Sequence, residues 1–318
     1  MAVVSGKPDD RVPMPASSRY RGQLADARSR RSIRLRQAIT PETATATCDY
    51  FYHAGQFWTA LVPLDGVVEI RGQAFNFSAM RTRKTPTGPE PIRDDLGAPK
   101  RVIPILNHVQ SRFLLNEPVR LFPLHDRPQG TPAHEIHDWV YSLEAVGPEG
   151  INFNLRDSLN GSLVSAHRFV STEEMVFERI VVENQYLKET PGLKLTAEER
   201  RGALIASLLR SDRAGWQEPY YLYRFCGTNN CTSNPFQILD GVVNYSGWQR
   251  LAVWLFRLPL KPRLYLRVRG LDPAPGTTQL LRNEFQSFIQ DPVIQQRKRD
   301  EVRAKIRRKR AQREMDDG

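Results

Sequence analysis

The chain has 318 residues, 40% of them hydrophobic, with a formal net charge of +11 and a mean hydropathy of −0.50. That is enough apolar material for one large domain, or a core with extended ends. It excludes a bundle of membrane helices, since no run approaches the roughly 18–20 apolar residues that a span needs.

Taken from the start, residues 1–20 are polar, carry Pro8, Pro13 and Pro15, and read as a disordered lead-in with no apolar signal core. Residues 21–39 read as a basic helix with few apolar contacts, and the segment 19–36 holds seven arginines. Residues 1–45 are therefore expected to be a basic, flexible extension. From Tyr50 to Met80 the pattern turns to strands, with Phe57–Val62 and Val67–Ile70 rich in β-formers and Pro63 to Gly66 between them. Residues 83–101 carry four prolines among charges and read as a loop.

Trp139–Val146 reads as a strand, Gly147–Gly150 as a turn, and Ile151–Leu155 as the returning strand. Phe177–Val182 suits another strand. Thr196-Ala-Glu-Glu199 matches a capping box, in which the threonine oxygen accepts from the N–H three residues on and the glutamate reaches back. Leu204, Leu208 and Leu209 then keep helical spacing. Tyr220–Phe225 is an aromatic run, and Phe236–Leu239 suits a helix. Leu251–Val268 is apolar but broken by Arg257, Lys261 and Arg263, which suits two strands around Pro259 and Pro262. Residues 291–318 read as a basic tail, helical or disordered, with ten Lys or Arg between Arg297 and Arg313. Residues 46–290 form the expected α+β domain.

The charge balance favours anionic partners. No RNA- or DNA-binding motif adds to it, so nucleic acid is an unlikely partner on sequence grounds. Neither a Walker-type loop nor a dinucleotide fingerprint is present, and no cofactor or metal is expected. Three cysteines, Cys48, Cys226 and Cys231, do not make a disulfide framework. Cys226 and Cys231 can still pair, or join histidines in a zinc site.

Cys231 is the first candidate for chemistry. It follows Asn229-Asn230 and precedes Thr232-Ser233-Asn234-Pro235, a run of helix-starting residues. A thiol at a helix start feels the positive end of the dipole, which stabilises the thiolate. The plainer alternative is a structural cysteine. A nucleophilic cysteine needs a histidine, and there are six: His53, His108, His125, His134, His137 and His167. His137 stands just ahead of the Trp139 strand, with His134 three residues earlier and His167 as a third option. Glu144, Asp138 and Asn154 are near in sequence as residues that could orient the imidazole.

The residues from His137-Asp-Trp-Val-Tyr, through Leu195-Thr-Ala-Glu-Glu and Tyr220-Tyr-Leu-Tyr223, to Asn230-Cys231-Thr232 resemble a known family. It is the N-terminal domain of the Lnb-type lipoprotein N-acyltransferases, which looks like a rearranged relative of the papain-like NlpC peptidases. The resemblance covers 137–240, about a third of the chain. It implies an α+β fold with a papain-like core: an antiparallel sheet and a helix bearing the cysteine, with basic extensions at both ends. It implies Cys231 as nucleophile and His137, or His134, as general base, with Asn230 and Thr232 as oxyanion or supporting residues. Acyl transfer or hydrolysis on a lipid-linked, amide or ester substrate would follow, through a thioester. The implied compartment is the cell envelope or periplasm, although no signal peptide or transmembrane helix is visible in this sequence. Trp248–Arg257, with two tryptophans and two arginines, would suit a lipid or membrane surface as partner. The competing reading is a non-catalytic binding protein with a structural cysteine, meeting anionic surfaces or nucleic acid through its basic ends.

Overall fold

The computed structural model describes residues 12–78, 80–86, 88–95, 97–103, 107–149, 151, 155–224, 228–255, 262–274 and 277–316. In chain order the strands are β1 Arg34–Leu35, β2 Thr45–His53, β3 Gln56–Pro63, β4 Val67–Asn76, β5 Thr82–Thr85, β6 Gly88–Pro91, β7 Asn107–Pro123, β8 His134–Val146, β9 Val164–Ser171, β10 Lys188–Gly192 and β11 Gln279–Leu280. The helices are α1 Leu155–Leu159, α2 Thr172–Val176, α3 Ala197–Ala214, α4 Ser233–Val242, α5 Gly247–Leu255, α6 Pro262–Val268, α7 Leu281–Glu284, α8 Gln286–Gln290 and α9 Pro292–Asp316. The chain is thus mixed α and β around a strand-rich sheet.

Five strands close on themselves. β2 pairs with β3, β3 with β7, β7 with β8, β8 with β9, and β9 returns to β2 through one parallel bridge, Tyr52 to Val170. The long β7 makes closure possible: its second half pairs with β3 and its first half with β4. Side chains alternate across the sheet. One face carries Phe113, Trp139 and Phe169, whose rings stack at 4.5 Å and 4.7 Å. That face meets Leu204 and Leu208 of α3, Phe236 and Leu239 of α4, and Tyr265 and Leu266 of α6 in the main core. The other face carries Val140 and Val170 beneath Met175, Ile180 and Leu281.

The second face is also ionic. Arg112, 1% exposed, donates to Asp138, Glu189 and Glu284, and Arg71 shares Glu189. Every charge in the group has a partner, the condition under which burial of ions is tolerated.

Several expectations are corrected. Residues 12–45 are not a free extension: Met14, Tyr20, Ala25, Ala27 and Ile33 are buried, and the Tyr20 hydroxyl donates to Asp157 at 2.6 Å. The expected basic helix over 21–39 is irregular chain ending in β1. Its backbone is satisfied by tertiary partners instead, with Ile33 N–H donating to Ser211 Oγ and Leu35 N–H to Asp212 Oδ1, both at 2.9 Å. The residues described between 83 and 101 include the hairpin β5–β6. The strand returning against β8 is β9, not 151–155; Ile151 is outside the sheet and 152–154 lie outside the described residues. Phe177–Val182 is a π-helical turn continuing α2, with Phe177, Ile180 and Val181 buried at helical spacing. The two strands expected over 251–268 are the helices α5 and α6; Pro262 opens α6, where its missing N–H costs nothing. The tail takes its helical alternative as α9, tied down by Arg297 to Glu174 at 2.6 Å. No helix among the described residues is long and apolar enough to cross a membrane.

Candidate functional site

The turn before α4 is built by its asparagines. Asn230 Oδ1 accepts the Thr232 and Ser233 N–H groups at 2.8 and 2.7 Å, so this side chain caps the helix. Asn229 Nδ2 donates to Ser165 Oγ and the Pro219 carbonyl, which ties the turn to β9. Arg210 of α3 donates to Asn229 and Asn234 and pairs with Glu218, so α3 braces the same turn. Between these fixed points sits Cys231, 3% exposed, with a free thiol. Cys226 lies outside the described residues.

The thiol has two polar neighbours. The Tyr220 hydroxyl donates to Sγ at 3.9 Å, and Sγ–H donates to the Asn107 carbonyl at 3.9 Å. Burial pushes the Cys231 thiol above its ordinary value, while Tyr220 and the backbone at Val109 oppose this more weakly. Desolvation thus outweighs these hydrogen bonds, and the resting group is a neutral thiol. The two N–H groups that Asn230 takes are not available to an oxyanion. Asn230 and Thr232 hold the turn; Thr232 Oγ1 also reaches the Asn107 carbonyl at 3.5 Å.

The structure does not bring His137 or His134 to Cys231. His137 is exposed on β8, with Nδ1 3.4 Å from the Leu115 carbonyl. Leu115 and Asn107, the residue at the thiol, are eight positions apart on β7, about 26 Å at the strand rise per residue. His134 lies further along, opposite Leu121, its ring against His53 at 4.8 Å and Trp58 at 4.9 Å. The antiparallel register decides this: β8 runs away from the thiol toward its own N-terminal end, where both histidines sit.

His108 is the histidine beside the thiol along the backbone, because it follows Asn107 directly. Its side chain alternates to the other face of β7, where it stacks on Phe75 at 4.8 Å. Its Nε2 lies 2.8 Å from Ser142 Oγ, and that hydroxyl donates to Glu144 Oε1 at 3.2 Å. Burial lowers the His108 pKa to about 4, so the imidazole is neutral near pH 7. Glu144, held well below the usual carboxylate range by Arg179, His108 and Arg168 against its own desolvation, raises the Cys231 thiol through space. Cys231, His108 and Glu144 therefore share one end of the sheet, with the imidazole turned away from the sulfur. His167 lies on the thiol's own face, fully buried, with Nδ1 2.6 Å from the Tyr141 hydroxyl and Nε2 3.8 Å from Glu218.

Sequence reasoning weighed Glu144 and missed Asn107, Ser142 and Tyr220. His108 was among six histidines with nothing local to favour it.

A cavity of about 170 Å³ opens beside the turn. Asn107 forms part of its wall, as does Pro235 of α4. Among the described residues, no three His, Cys, Asp or Glu side chains converge as a metal site. No protein-family model matches the sequence, and neither a curated protein nor a solved structure is similar to it.

Proposed function

We propose that this chain carries out cysteine-dependent acyl transfer or hydrolysis, on a papain-like arrangement of cysteine helix and antiparallel sheet. The observation that carries the reading is a cysteine at a capped helix start whose sulfur takes a hydrogen bond from the Tyr220 hydroxyl. In the reacting state the Sγ proton passes to a water molecule, because the His108 imidazole faces the other side of β7. The thiolate attacks the carbonyl carbon of an ester or amide. As the tetrahedral intermediate collapses, the C–O or C–N bond breaks and the leaving group takes a proton from water. Water or an amine, giving up its proton to solvent, then attacks the thioester and frees the thiol. Tyr220, donating to Sγ, stabilises the thiolate.

The test is acylation by p-nitrophenyl esters, read by intact mass and by release of nitrophenolate. One acyl group is expected on wild type and none on Cys231→Ala, and Tyr220→Phe, which removes the donor to Sγ, slows acylation by about tenfold or more. Acylation untouched by either change rules the site out.

A second reading has its own support. The thiol is nearly inaccessible and held in its neutral form, as in a binding protein whose cysteine only packs. It predicts no acyl adduct at all. For the partner, a lipid surface is favoured by α5, where Trp248 is 85% exposed and Leu251 50% exposed, beside the exposed Arg250.

A further inference from the structure

We infer that the cavity beside Cys231 is an acyl-chain site for a short, neutral acyl group of about six carbons; this rests on the acyl-transfer reading and names its substrate class. The cavity exists because the sheet offers small residues where helices need bulk. Register places Gly72, Ala74 and Ser111 on one face of β4 and β7. Phe236, Leu239 and Leu266 of α4 and α6 form the facing wall. A Cβ added at Gly72 would press on Leu266 Cδ1 at 3.2 Å and meet Thr190 Oγ1 at 3.5 Å, so the glycine lets these two wall residues pack close to the sheet.

Volume sets the size of the occupant. An apolar cavity of about 150 Å³ takes a benzene molecule, so about 170 Å³ takes a chain of similar carbon count. Charge sets its kind. Among the described residues, the three charged ones in the wall are already paired: Lys188 with Asp94 at 2.6 Å, Arg263 with Asp272 at 2.9 Å, and Glu189 with Arg71 at 3.0 Å and Arg112 at 3.1 Å. A free fatty acid would bring a carboxylate to a wall whose cations are taken. An ester, amide or thioester brings none. Position sets the role. Asn107 belongs both to the wall and to the thiol's hydrogen bonds, and this shared residue is what links Sγ to the cavity.

Two measurements on the full chain test this. The first is binding of N-methyl alkanamides of increasing length to Cys231→Ala, which needs no chemistry. Affinity should rise about three- to fourfold per added methylene up to about six carbons and then stop rising, from the transfer free energy of a methylene. Hexanoate should bind at least about tenfold more weakly than the matching amide, the cost of leaving a carboxylate unpaired. The second is the chain-length profile of p-nitrophenyl ester acylation in wild type, Gly72→Val and Leu239→Ala. Gly72→Val pushes Leu266 toward the cavity and should move the optimum to shorter chains. Opening it at Leu239 should move the optimum to longer ones, a shift that stands even if the Gly72 variant does not fold. Affinity and acylation that ignore chain length, or an optimum unmoved by Leu239→Ala, overturn the inference. Length-dependent binding without any acylation of wild type leaves the cavity site standing and removes the acyl-transfer reading. Acylation at Cys231 with no length optimum does the reverse.

Discussion

The sharpest consequence of the geometry concerns the rate at which Cys231 is alkylated. Burial holds its thiol above the ordinary value of 9.0, so at pH 7 a smaller fraction is thiolate than in a free cysteine. Access adds a second factor. At 3% exposure the sulfur meets a reagent only after local opening. An opening that costs about 3 kcal/mol slows the reaction by a further factor of about 150. Together these place alkylation of native Cys231 at pH 7 more than about 150-fold below that of a free thiol. The assay is iodoacetamide labelling from pH 6 to 10, quenched and read by peptide mapping so that Cys48 and Cys226 are counted apart. The logarithm of the Cys231 rate should climb by about one per pH unit through pH 9, with no plateau, because the thiolate fraction is still growing. His137→Ala should leave that line unchanged, since the two residues are about 26 Å apart along β7 by strand rise. A plateau below about pH 7.5 that vanishes in His137→Ala would refute the reasoning; it would mean an activated pair, and a register of β7 on β8 different from the one described.

Two further expectations test the scaffold and the surface. Arg112→Met leaves the 2%-exposed Glu189 with Arg71 as its main cation and should cost about 3–5 kcal/mol in denaturant unfolding, because a buried ion cluster broken on one side leaves charge behind. A variant as stable as wild type would show that the cluster relaxes. Trp248→Ser with Leu251→Ser should change stability by less than about 0.5 kcal/mol, given the exposure of both residues, yet abolish flotation with phosphatidylglycerol vesicles. Flotation that persists takes α5 out of any membrane contact.

Signals contained within one turn of chain were legible in the sequence. Thr196 and Glu199 form the capping box their spacing predicts, with both bonds made and α3 running from Ala197 to Ala214. Trp139–Val146 lies within β8, Phe57–Val62 in β3 and Val67–Ile70 in β4. The Asn and Ser residues around Cys231 do start a helix, and Asn230 supplies the cap. Each of these rests on contacts between residues a few positions apart, so the local sequence holds the whole cause.

What failed was what neighbours decide. Residues 21–39 carry helix formers, but hydrogen bonds donated to Ser211 and Asp212 of α3 hold the backbone around Ile33 in an extended path. Phe177–Val182 has an apolar pattern that suits a strand or a helix, and burial of Phe177, Ile180 and Val181 on one side chose the helical turn. The site shows the same division most clearly. The sequence by itself determined that Cys231 would stand at the start of a helix. Only the tertiary structure decided that the thiol is buried and neutral, that Tyr220 and Asn107 are its partners, and that His108 rather than His137 lies beside it. The reason is register: a strand's side chains are assigned to faces and ends by how it pairs, and pairing is a property of two segments that no local pattern in either one contains.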